Sequence, residues 1–271
     1  MEENDNVVAE LSASVIEQEV TSRSTGTADI VVLGSVGSTN TMLQEKLAIN
    51  PLAVGQLVLC AAEHQTAGRG RRGKIWHTPR QGVTFSIAFS VDYAANELSG
   101  LSLLCGVAVC RSLHEIGVPA LLKWPNDILV QESKLAGILV EIATSGNNVS
   151  TGIIGIGLNY RRGEEAHKID QKSTDLSELL GDDLPERSRL IGRIAASVFD
   201  ACRVDIPARV TRLVSYWGDY DALAGRPVSV ESAGALQIGV ADGIDTDGQL
   251  RVLTADGVLL VASGSVSMRP A

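Results

Sequence analysis

The stretch from Glu63 to Trp76 constrains this chain more than any other. It packs Arg69, Arg71, Arg72 and Lys74 between Gly68, Gly70 and Gly73, in a chain whose net charge is −9. No acidic residue occurs between Glu63 and Asp92, so the segment is a local island of positive charge. An apolar strand-like run, Gln56 to Ala61, precedes it. The run from Val83 to Val91 follows, with Val83, Phe85, Ile87, Phe89 and Val91 expected inward and Thr84, Ser86, Ala88 and Ser90 outward. Glycine lets backbone N–H groups curve closely around an anion, and arginine forks match phosphate or carboxylate oxygens. A basic loop held between two strands is placed to close over an anionic ligand. The same composition also fits a solvated loop that touches nucleic acid.

Charge separates those readings only in part. The acidic balance, with a pI near 5.0, argues against wholesale nucleic-acid binding, so any anion site must be local. A length of 271 residues accommodates a large domain with a small one, or two medium ones. The apolar runs are strand-length and the N-terminus is acidic, so neither a membrane span nor a secretory signal is expected, and a cytoplasmic protein is. Cys60, Cys105, Cys110 and Cys202 show no C-x-x-C spacing and read as reduced, packed thiols. The four histidines are scattered, and no metal site is proposed from them.

Taken in order, residues 1–28 form a polar extension, with one weak helix around Val15, Ile16 and Val20 and a linker from Thr21 to Thr27. A strand begins at Asp29. Gly37-Ser38-Thr39-Asn40 opens a helix that Asn50-Pro51 stops; Ser38 or Thr39 serves as its cap, or else faces a ligand at the helix start. Asn96 to Ile116 reads as one long buried helix ended by Gly117. In Leu121 to Val130, Pro125 forces a corner between two strands, and Lys123 and Asp127 either pair with each other or both face a ligand. Lys134 to Ile142 is a strand in which Gly137 is unexpected. Gly155 and Gly157 give a second strand with a bare face that admits something flat; they lack the third glycine and the following helix of a dinucleotide fingerprint. Helices are expected at Ser173–Gly181, from Pro185, and over Ala208–Tyr216. From Gly225, the Asp242-Gly243, Asp247-Gly248 and Asp256-Gly257 pairs signal hairpins of a small SH3-like barrel.

Five segments together resemble the biotin protein ligases: Gly37 to Asn40, Glu63 to Gly73, Lys123 to Asp127, Lys134 to Glu141, and Gly155 to Asn159. The resemblance covers about residue 30 to the end. It implies an α+β fold, a mixed β-sheet flanked by helices as in class II aminoacyl-tRNA synthetases, with a C-terminal SH3-like β-barrel. The corresponding division is 29–222 for the catalytic domain and 223–271 for the barrel. It implies biotinylation of a lysine on a carboxylase's biotin carrier domain, through biotinyl-5′-AMP, with ATP and Mg²⁺.

By the same resemblance, Lys134 and Arg71 are catalytic. Ser38, Thr39, Asn40, Gln65, Gly68, Arg69, Gly70, Arg71, Lys134 and Gly137 bind biotin, with Ser38, Thr39 and Gln65 on its ureido head. Arg69, Arg71, Trp76, Lys123, Asn126, Lys134 and Asn159 bind ATP, with Trp76 stacked on adenine or serving as a core aromatic. Asp127 orients the acceptor lysine. Some relatives carry an N-terminal DNA-binding domain; about thirty polar residues stand in its place here, so a ligase with no DNA partner is expected. A lipoate–protein ligase is the competing enzyme, and a biotin-sensing DNA-binding or adaptor protein the competing binding module. A homodimer would use an exposed sheet edge, but no residue pattern selects one.

Overall fold

In a strand buried on one face, side chains alternate; in one buried on both, they do not. The computed structural model, which describes residues 10–24, 28–77, 81–145, 149–161, 172–203, 205–232, 235–262 and 267–270, makes the run after the basic loop a strand of the second kind. This strand, β3 (Gln81–Val91), sits inside a seven-stranded sheet with β1 (Asp29–Val36), β2 (Leu57–Gln65), β4 (Leu121–Lys123), β5 (Asp127–Val130), β6 (Ser133–Ser145) and β7 (Val149–Arg161). The order is β1-β2-β3-β7-β6-β5-β4, with β1 and β2 parallel and every other pairing antiparallel. Thr84, Ser86, Ala88 and Ser90, expected outward, are all buried. Helix α2 (Thr39–Ile49) covers that face, packing Leu43 and Leu47 on Val58, Cys60, Ala88 and Ile153.

The other face carries the main core. Val83, Phe85, Ile87 and Phe89 meet α3 (Leu101–His114) and α5 (Arg187–Cys202) in one apolar cluster. The long helix expected over Asn96–Ile116 is interrupted: a 3₁₀ turn at Ala95–Leu98 precedes α3, and Gly100, at φ 74°, turns the chain between them. That left-handed conformation suits glycine and ends helical continuity there. The weak N-terminal helix is α1 (Ala13–Arg23), which takes in Thr21 to Arg23, so the linker reading fails for those residues; 25–27 lie outside the described residues. α1 lies on α5, where Gly192 permits close approach to the Ile16 carbonyl. Its fully buried Ile16 and Val20 are worth about 1.5–3 kcal/mol each.

Past β7 come α4 (Leu176–Leu180), capped by Asp175, then α5, then α6 (Ile206–Leu213), which is shorter than the expected helix because a turn follows it. The C-terminal part is a five-stranded antiparallel sheet of β8 (Pro227–Ser232), β9 (Ala235–Ile244), β10 (Leu250–Thr254), β11 (Gly257–Val261) and β12 (Ser267–Pro270), ordered β11-β10-β9-β8-β12. Asp247-Gly248 falls in a turn as expected, and Asp256 in the turn that enters β11 at Gly257. Asp242-Gly243 lies inside β9, where Gly243 at φ 75° marks a shift of register against β10. The Trp124 indole joins the two parts, donating to the Gly248 carbonyl at 3.0 Å. Among the described residues, no helix is long and apolar enough to cross a membrane.

Candidate functional site

Three central strands leave a bare patch on the α2 face of the sheet. Ser86, Gly155 and Leu139 are in register across β3, β7 and β6, and so are Thr84, Gly157 and Gly137. A side chain on Gly155 would overlap Asn40, and one on Gly157 would overlap the indole of Trp76. The flat object on the bare face is therefore the chain's own Trp76. Its ring also lies against Gly137, and Lys134 Nζ stands 5.7 Å from the ring centroid. The indole N–H is buried there with no acceptor among the described residues. The cavity left beside it measures about 60 Å³, far below the ~300–1,000 Å³ of ordinary ligand pockets. Ligand entry therefore requires the indole to move.

Trp76 is carried by the basic loop, which is folded as a tight hairpin. Arg69 bridges Ile75, the Gly70 N–H donates to the Lys74 carbonyl at 2.7 Å, and the Trp76 N–H donates to Gly68 at 2.9 Å. Arg72 and Gly73, at φ 55° and 72°, make the turn. Gly68 must be glycine because a Cβ there would run into the Trp76 backbone carbonyl. Two of the hairpin's three arginines reach different parts of the sheet, β6 and the turn between β4 and β5. Arg69 Nη2 is 2.7 Å from Glu141 Oε2, and Arg71 Nη1 donates to Asn126 Oδ1 at 3.1 Å.

A buried polar chain runs under the cavity from the start of α2. Ser38 occupies the N-cap position but makes no side-chain capping bond. Gln65 Oε1 takes that place, accepting from the Thr39 N–H at 2.8 Å. Thr39 Oγ1 lies 2.6 Å from Ser86 Oγ, which donates to Asn40 Oδ1 at 2.5 Å, and Asn40 Nδ2 donates to Glu141 Oε2 at 2.7 Å. The simple cap reading of Ser38 is thereby replaced: this helix start is held from the neighbouring strand.

At the other end Lys134 Nζ is 2.6 Å from Asp127 Oδ1. Asp127 is opposite Lys123 in the β4–β5 register, yet its ion pair is with Lys134, so of the two readings the sequence leaves open the Lys123 pairing is not the one formed. Burial holds the Lys123 ammonium below the usual lysine range; Asp127 opposes that, while Lys134 and Lys74 add to it. Burial likewise lowers Arg71, helped by Arg72 and opposed by Asp127. Cations outnumber the single carboxylate they share, so this end of the site attracts anions.

Ser38, Thr39, Asn40, Gln65, Arg69, Gly70, Trp76, Asn126, Lys134 and Gly137 all line the one cavity. Asn159 does not: its amide donates to the backbone carbonyls of Lys134 and Thr174, which fixes the strand that carries Lys134. Lys123, Asp127, Arg71 and Gly68 border the lining residues without joining them. Two participants escaped sequence reasoning, Ser86 and Glu141. The available signal was an acid on an apolar strand, four residues after an unexplained glycine and therefore on its face.

Two family profiles match this chain: the "Biotin/lipoate A/B protein ligase family" over residues 32–159 and the "Biotin protein ligase C terminal domain" over 224–269. The biotin–[acetyl-CoA-carboxylase] ligase of Mycobacterium tuberculosis is 31% identical, over 98% of both chains. The chain belongs to the biotin protein ligase family. Another member, the bifunctional ligase/repressor BirA of Salmonella typhimurium, is 33% identical over 90% of this chain and 75% of its own length. Among solved structures, the biotin protein ligase of Aquifex aeolicus in complex with biotin and ATP superposes with a TM-score of 0.70 at 28% identity, over 90% of this chain and 99% of that one.

Proposed function

We propose that this chain is a biotin protein ligase that couples ATP cleavage to biotinylation of a lysine on a biotin carrier domain. The observation that carries this is the meeting of Lys134, with further cations at its border, an arginine hairpin and a bare glycine floor around one cavity of a chain of this family. In the first step the biotin carboxylate attacks the α-phosphate of ATP, an α-phosphate bond to biotin forms, and pyrophosphate leaves. Both reactants are anionic, so alignment and charge screening carry the catalysis. Lys134 and Arg71 supply the screening, and Arg69 the anion contact from the hairpin. Ser38, Thr39 and Gln65 hold the polar head of biotin at the start of α2, with Asn40 braced behind them.

Gly137 and Gly157 form the floor on which the ligand lies once Trp76 withdraws. The unsatisfied indole N–H makes that withdrawal inexpensive, and stacking on the adenine gives the ring a new partner. Gly68 and Gly70 let the hairpin close again and keep water from the labile anhydride. Asn126 and Lys123 serve the nucleotide side, and Asn159 acts there through the Lys134 strand. In the second step the acceptor lysine amine attacks the anhydride carbonyl and AMP leaves. With Lys134 turned toward the anions, Asp127 becomes available to orient the incoming ammonium and take its proton.

Among the described residues no three His, Cys, Asp or Glu side chains gather as a metal cage. Magnesium enters on the nucleotide phosphates, the usual way for an ion that keeps its waters. The five C-terminal strands form an SH3-like barrel occupying 223–271, behind a catalytic domain of 29–222. The enzyme works in the cytoplasm.

The test is to incubate the chain with biotin, Mg-ATP and a biotin carrier domain and weigh the carrier. A gain of one biotin is expected, and Lys134→Ala should slow it by about 10²–10³. Labelling by lipoate on a lipoyl acceptor instead would overturn the biotin assignment. Equal rates with Lys134→Ala would remove the lysine from it.

A further inference from the structure

The carboxylate of Glu141 joins two parts of the site that bind opposite ends of the ligand. One oxygen, Oε2, is shared: it takes Asn40 Nδ2 from the start of α2 at 2.7 Å and Arg69 Nη2 from the hairpin at 2.7 Å, while Oε1 lies 3.0 Å from the same Nη2. Through Asn40 it continues into Ser86, Thr39 and Gln65. Among the described residues, the hydrogen bonds that hold Arg69 to Glu141 all run through Nη2. The Nε and Nη1 donors of that guanidinium, which lines the cavity, remain for an anion. Gln44 also accepts from Nη2, at 3.3 Å, so α2 and the hairpin meet at this one nitrogen.

We propose that Glu141 is a positioning residue for the adenylation reaction, latching Arg69 over the cavity and tying the hairpin to the helix start that receives the ligand's polar head. This rests on the ligase reading above. A carboxylate is suited to the task because it accepts from an amide and a guanidinium at once. A charge-assisted bond holds a long, half-exposed arginine more firmly than a neutral one does. With the latch in place, an occupied helix start and a closed hairpin favour each other. Glu141 then acts on ligand retention through Arg69 and leaves the reacting atoms to Lys134 and Arg71.

The discriminating experiment is a double-mutant cycle on the full chain, following biotin-dependent exchange of pyrophosphate into ATP. Glu141→Gln keeps an acceptor for Asn40 and removes the charge. It should raise the KM for biotin about tenfold, the effect of one charge-assisted hydrogen bond, with kcat within about twofold of wild type. In an Arg69→Gln background the same substitution should add less than about twofold, since its partner is gone. Glu141→Asp, which retains the charge on a shorter stem, should fall between and covers the case in which the glutamine variant folds poorly. Equal losses in both backgrounds, an unchanged KM, or a loss confined to kcat would each overturn the role of Glu141. Absence of biotin-dependent exchange in the unmodified chain would overturn the ligase reading and this inference with it.

Discussion

The two faces of strand β3 are built on different principles from the same eleven residues. On one, Val83, Phe85, Ile87 and Phe89 interlock with α3 and α5 in the main core. On the other, Thr84, Ser86 and Ser90 are equally buried, but Ser86 sits in a hydrogen-bonded chain that ends at Arg69. The first face is held by shape and apolar area, which many side chains supply. The second depends, at Thr84 and Ser86, on each donor finding its acceptor, while the Ser90 hydroxyl is buried with no partner among the described residues. Substitutions on the two should fail differently: in stability on one side, in ligand affinity on the other.

Phe89→Ala tests the apolar face. The ring is 1% exposed and packs on Gly152, so its loss should cost about 3–5 kcal/mol, read as a lower urea midpoint. Activity per folded molecule should be unchanged, because Phe89 lies outside the cavity. A fall in kcat/KM with stability intact would erase the distinction between the faces.

Ser86→Ala tests the other face. It removes the one hydroxyl between Thr39 and Asn40, leaving the Asn40 carbonyl without its donor. A stability cost of about 1–3 kcal/mol is expected from that orphaned group. The larger signature is a biotin KM raised about tenfold, which Phe89→Ala should not produce. An unchanged KM would reduce the polar chain to scaffolding.

The difference between the faces also explains what could be read from the sequence. Strands, the Pro125 corner, the start of α2 and the mixed sheet with its helices followed from periodicity and from the resemblance. So did the gathering of Ser38, Gln65, Arg69 and Lys134, since five motifs in order carry their own geometry. Burial of the second face of β3 did not, because alternation describes one face and says nothing about what covers the other. The break before α3 was missed since Gly100 is tolerated inside an apolar helical pattern, and only its φ reveals the turn. For Asp127 the sequence leaves Lys123 and a ligand open as partners; proximity in a hairpin suggests Lys123, whereas Lys134 reaches it from the next strand. Trp76 on Gly137 and Gly157 joins residues some sixty to eighty positions apart, a contact no local pattern encodes.

Buried thiols give the smallest and most delicate contrast with the site. At the Lys134 end of the cavity, cations crowd Asp127 and invite anions. At Cys60 and Cys110, desolvation acts with little opposition and pushes both thiols up to about 12 from an ordinary 9.0. Unfolded, these cysteines lose their protons near pH 9; folded, they keep them to about 12. Between those values the native state binds more protons, so stability must fall as pH rises, by at most about 1.4 kcal/mol per pH unit for each thiol. Well below pH 9, where the thiols are protonated in both states, neither contributes a slope. Urea midpoints from pH 8 to 10.5 should therefore decline more gently for Cys60→Ala and Cys110→Ala than for the unsubstituted chain. Identical slopes would mean that the native thiols ionise as readily as unfolded ones. In that event both would react with a disulfide reagent at pH 9 before unfolding, and the apolar regions would be less sealed than the site they support.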